Sequence, residues 1–183
     1  MSDKKSRSQR LELAFAALHG NDEQAILESL NRIEQQGDAR AIRPLLEALD
    51  RRPSAEVERR ITAMLHQVKA SDAVPVLVEA LIDPQLASVR RTVASVFWNA
   101  GLDARDHLPV FIDLAIAGDA QECFESATVI ENQELWPEKS ARQGLARLQR
   151  AISECTDGYK RAMLEDAARA LHDRLNGTPV ADA

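Results

Sequence analysis

Three features of the sequence predict an all-α fold. Ala, Leu, Glu and Arg, all strong helix formers, are abundant, and the apolar–polar alternation that marks strands is almost absent. Apolar residues return instead at i, i+3, i+4 and i+7 along most of the chain. Glycine is scarce, seven in 183 residues, and four of them stand where one apolar stripe stops and the next begins. With 45% apolar residues the chain can bury a core, which excludes wholesale disorder. About ten helices in five pairs are expected.

The clearest pair lies between Ser71 and Gly101. Its first half carries Val74, Leu77, Val78, Leu81 and Ile82 at helical spacing. Its second half carries Leu86, Val89, Val93, Val96, Phe97 and Ala100. Asp83-Pro84 breaks the chain between them, because proline cannot continue the incoming helix and disfavours α conformation in the residue before it.

The chain in order then reads as follows. A first helix is expected from Ser8 to His19, closed by Gly20. Asn21 and Gln24 have capping-box spacing, and the second helix runs to Gln36, where Gly37 stops it. The third spans about Ala39–Arg51 and the fourth Ser54–Lys69. After the 71–101 pair, Asp106–Ala117 carries Leu108, Phe111 and Ile112 inward. Asp119 and Glu122 make a second capping box ahead of a helix to Asn132, with Cys123, Phe124, Ala127 and Ile130 on its apolar side. Trp136 and Pro137 sit in an irregular connector, and Trp136 is expected to pin it to the helices. A more polar pair follows over 137–175 and reads as a C-terminal cap. Residues 1–7 read as a loose basic tail, 8–175 as one domain and 176–183 as a second loose tail.

Prolines fix a register. Pro75 and Pro109 fall in first turns, where the N–H has no helical partner anyway; Pro44 lies deeper, where a kink is expected. Ile26, Val57, Val89 and Cys123, one per second helix, fall 31, 32 and 34 residues apart. A period in the thirties with two helices per unit signals an α-solenoid, in which neighbouring units bury one another's apolar faces.

The 71–101 pair resembles a HEAT repeat. Val74-Pro75-Val76-Leu77-Val78-Glu79-Ala80-Leu81, the Asp83-Pro84 corner, and Val89-Arg90 leading Val93 and Ala94 carry the likeness. The chain is similar to small bacterial HEAT-like proteins. That resemblance implies a right-handed solenoid binding other macromolecules along a concave face lined by second helices. It also implies an inter-repeat ladder through Asp83 and Arg90.

Candidate binding residues follow from the helix angle. At about 100° per residue, Trp98 points roughly 150° from the core stripe of its helix. It shares that outward ridge with Arg91 and Ala94. The matching ridges are Arg59, Thr62 and His66 on the fourth helix, and Glu125, Thr128 and Asn132 on the eighth. Trp and Arg dominate interface energetics, so Trp98 beside Arg91 is the expected anchor for a protein or peptide.

Reaction chemistry leaves no trace. His19, His66, His107 and His172 lie on different helices without HxxH or HExxH spacing, and no GxSxG, Cys–His pairing or phosphate loop occurs. Cys123 and Cys155 lack CxxC spacing, so neither a zinc site nor a disulfide framework is expected. The adjacent carboxylates of Glu165 and Asp166 point about 100° apart and cannot converge on one atom. A net charge of −6 argues against phosphate-neutralising nucleic-acid binding. No apolar run approaches the roughly 18 residues of a membrane span, and the cytoplasm is the expected compartment. The sequence thus reads as a non-enzymatic interaction scaffold without metal or cofactor. The resemblance leaves one alternative, a bilin-lyase-like or chaperone-like factor acting on a partner protein.

Overall fold

A computed structural model describes residues 2–36, 38–69 and 72–177. Among the described residues the chain is all-helical, with ten α-helices and three short 3-10 segments. The helices group into two compact units, Met1–Val89 and Arg90–Ala183, and each is taken by itself.

The first unit holds α1 (Ser2–Leu18), α2 (Glu23–Gln36), α3 (Ile42–Asp50), α4 (Ala55–Leu65) and α5 (Ala73–Ile82). Helical backbone in α1 begins at Ser2, where a loose tail was expected over residues 1–7; neither glycine nor proline interrupts that run before Gly20. Asp22, not Asn21, caps α2: its Oδ1 accepts from the Gln24 N–H at 3.0 Å and the Ala25 N–H at 3.3 Å. A carboxylate is the better acceptor beside the positive end of a helix. Gly37, expected to stop α2, lies outside the described residues. A 3-10 turn over Ala39–Ala41 precedes α3, which places Pro44 in the first α-helical turn, where its missing N–H costs nothing. Ser54 caps α4.

Packing within this unit runs between alternate as well as consecutive helices. α1 lies on α3, α3 on α5 and α2 on α4. Leu30, Leu46, Ile61, Leu65 and Leu77 are fully shielded at these contacts. Polar struts cross the same seams. Arg60 of α4 donates to Glu34 and Asn31 of α2 at 2.6 and 2.7 Å. Arg43 of α3 donates to Asp83, at the end of α5, at 2.9 Å. Asp83 also accepts from the Gln85 N–H, which tightens the Asp-Pro corner. Pro84–Val89 then winds as 3-10 helix, with Leu86 off helical geometry (φ −104°, ψ 19°).

The second unit holds α6 (Arg90–Ala100), α7 (Leu108–Ala117), α8 (Ala120–Asn132), α9 (Glu138–Glu154) and α10 (Gly158–Leu175). Gly101 at φ 64° closes α6, and the Leu102 N–H returns to the Phe97 carbonyl at 2.9 Å. The Asp119–Glu122 capping box forms as the spacing predicts. Here α6 lies on α8, α8 on α10 and α7 on α9, with α7–α8 and α9–α10 as consecutive contacts. Phe97 and Phe111 meet edge to face at 4.9 Å between centroids. Of the expected second tail, Asn176 and Gly177 form a turn, and 178–183 lie outside the described residues. No described helix is long and apolar enough to cross a membrane.

Candidate functional site

The ridge of α6 is set by its inward face. Val93, Val96, Phe97 and Ala100 are buried, which turns Trp98 outward. Its indole remains 37% exposed, and Nε1 donates to Glu125 Oε2 on α8 at 2.8 Å. Arg91, two turns back on the same ridge, is exposed and donates to Gln121 Oε1 on α8. Ala94, expected on the same ridge, is buried, because α6 is covered over a wider arc than one stripe.

On α8 the outward side chains bond inward to their own backbone. The Thr128 hydroxyl donates to the Phe124 carbonyl at 2.9 Å, and the Asn132 amide to the Thr128 carbonyl at 2.8 Å. Asn132 and Trp98 line one cleft of about 420 Å³, at whose edge Arg105 pairs with Asp103. Hydrogen bonding to Arg105 holds the Asp103 carboxyl below its usual range.

Phe124 departs from expectation. The sequence pattern places it inward, yet its ring is 48% exposed. It lies three residues after Gln121 and four before Thr128, so it shares their outward ridge, and that spacing was the available signal. Tyr159, at the start of α10, is also exposed, at 67%. In the second unit each of α6, α8 and α10 therefore presents one exposed aromatic ring.

Arg59, Thr62 and His66 belong to the first unit and are taken with α4 alone. Arg59 is exposed and pairs with Glu56 one turn back, which holds the Glu56 carboxyl below its ordinary value. Thr62 and His66 are half-buried, and the His66 N–H closes the helix end on the Thr62 carbonyl at 3.0 Å. The structure brings Trp98, Glu125 and Asn132 together, with Arg91 at the far end of the same ridge.

Trp136 is buried in the connector, and its Nε1 donates to the Ile130 carbonyl at 3.2 Å. That contact pins the chain between α8 and α9. Cys123 is buried in α8, and desolvation pushes its thiol up to about 11, so it stays neutral at physiological pH. Among the described residues no three His, Cys, Asp or Glu side chains converge as metal ligands. The α6–α8 surface can offer rings, a guanidinium and amide groups to another chain. Comparison with known protein families, curated proteins and solved structures finds no match.

Proposed function

We propose that the chain is a HEAT-like protein whose helix pairs stack as in an α-solenoid, and that it works as a non-enzymatic scaffold for a protein or peptide. The stacking reading is supported by alternate-helix packing within each unit, with first helices on first and second on second. The binding reading rests on one observation: Trp98 and Phe124 keep 37% and 48% of their surface in solvent, on neighbouring second helices. Rings of this size left out of a core are favoured anchors when a partner supplies the missing cover. The bound partner lies across the outward faces of α6 and α8, with Arg91 and Asn132 at its two ends. Arg59, Thr62 and His66 on α4 carry the corresponding ridge of the first unit.

Selection of peptides from a displayed random library on the wild-type protein tests this. Enriched peptides are expected to lose about thirtyfold or more in affinity on Trp98→Ala, as for an interface hot spot. Phe124→Ser is expected to weaken them as well. Failure to enrich any sequence, or equal binding to both variants, overturns the proposal.

A further inference from the structure

We propose that the cleft where α8 and α10 end binds a basic peptide segment, a Lys or Arg flanked by apolar side chains. This inference rests on the scaffold reading above and adds the partner's chemistry. The cleft measures about 640 Å³, within the range of specific ligand sites. Leu135 lines it with 66% of its surface exposed, although it adjoins the buried, hydrogen-bonded Trp136. Ala141 and Leu175 extend the apolar lining. An apolar side chain laid there would cover Leu135.

The charge on the walls selects the sign of the occupant. Glu131 and Glu134 line the cleft, and among the described residues neither carboxylate has a hydrogen bond or ion pair. Glu138, also at the wall, is already held by Arg142 at 2.8 Å. Among the described residues the one cation in the lining is Arg174, and its guanidinium is turned into the backbone: Nη1 donates to the Ala170 carbonyl at 3.1 Å and Nη2 to the Glu131 carbonyl. The C-termini of α8 and α10 add partial negative charge, against one N-terminus, that of α9, whose Glu138 already faces it. Partial desolvation and nearby Asp166 raise the Glu131 carboxyl above its ordinary value in spite of the opposing Arg174 and Arg169 charges, so a further cation bound there would relieve it. An acidic segment would face the unpaired Glu131 and Glu134 carboxylates, which outnumber Arg174, so the balance of charge gives discrimination as well as affinity. The chain's net charge of −6 further favours encounter with a basic partner.

The protein has two tryptophans, so Trp98→Phe leaves Trp136 as a reporter inside this cleft. In that background acetyl-Leu-Lys-Arg-Leu-amide is expected to shift Trp136 emission saturably. Glu131→Gln with Glu134→Gln is expected to weaken binding about tenfold, and added salt to weaken it further. Equal binding of acetyl-Leu-Glu-Glu-Leu-amide, indifference to the double substitution, or no emission change overturns the proposal. Library peptides that still depend on Trp98 would then leave the scaffold reading standing. If those also fail, both readings fall.

Discussion

The Trp98 indole N–H and the Glu125 carboxylate are joined at 2.8 Å across the α6–α8 seam. The bond orients the ring without burying it. Trp98→Phe and Glu125→Ala each remove one partner, so a double-mutant cycle isolates the contact. The expected coupling in urea denaturation is about 0.5–1.5 kcal/mol, at the low end because the site is partly solvated. Trp98→Ala is expected to lower the melting temperature by only a few degrees, since a chain of this size moves about 2–4 °C per kcal/mol. A fall several times larger would assign the ring to packing.

How much of this was legible in the sequence varies with how local the cause is. The Asp119–Glu122 box and the Asp83-Pro84 corner are set by residues three apart or adjacent, and both form as read. Asn21 against Asp22 was a choice between neighbouring acceptors that spacing alone cannot rank. Phe124 was placed inward on apolar character, although its ridge neighbours Gln121 and Thr128 are polar. The α8–α10 cleft had no sequence signal, because Glu131, Leu135 and Arg174 meet only once three separate segments end together. Arg43 as the partner of Asp83 was missed for the same reason: forty residues separate them.

Arg52 and Gly101 predict opposite outcomes from one backbone geometry. Both adopt the left-handed region just beyond a helix, at φ 54° and 64°. Arg52 carries a Cβ there and Gly101 does not. Arg52→Gly is expected to stabilise the protein by about 0.5–1 kcal/mol. Gly101→Ala, whose Cβ would meet nothing within 4 Å, is expected to destabilise by about 1 kcal/mol through conformation alone. Denaturation midpoints shifting in opposite directions would verify the pair.

Glu131 makes stability depend on pH. Its carboxyl is raised above the ordinary value of 4.5, first by desolvation and then by the Asp166 charge, with the Arg174 and Arg169 charges opposing the rise. A carboxyl raised in the folded state contributes stability below its unfolded value, and that contribution is lost as pH climbs through the folded value. Ionised Glu131 therefore opposes folding at neutral pH. Glu131→Gln is expected to melt higher than wild type at about pH 7.5, with the difference vanishing at about pH 3.5, where both side chains are neutral. Thermal melts across this range check it; a constant difference would place its origin outside ionisation.

Gly144 lets α9 approach α7 and α10 more closely than any other residue would. It is buried, and a Cβ built there collides with Ile112 Cδ1 while standing 3.4 Å from Leu171 Cδ1 and 3.5 Å from Leu108 Cδ2. Gly144→Ala gains about 1 kcal/mol of helix propensity but overpacks a filled core, which costs about 1–3 kcal/mol. A net loss is expected. Ile112→Val alone deletes the colliding methyl and leaves a small void, at about 0.5–1.5 kcal/mol. Combined, the new methyl occupies the space the old one vacated, so both penalties shrink while the helix gain remains. The double variant is thus expected to be more stable than either single one, with a favourable coupling of about 1–3 kcal/mol. Denaturant midpoints of the four proteins decide it. Strict additivity would mean that α9 moves away as a whole and that Ile112 does not set the spacing.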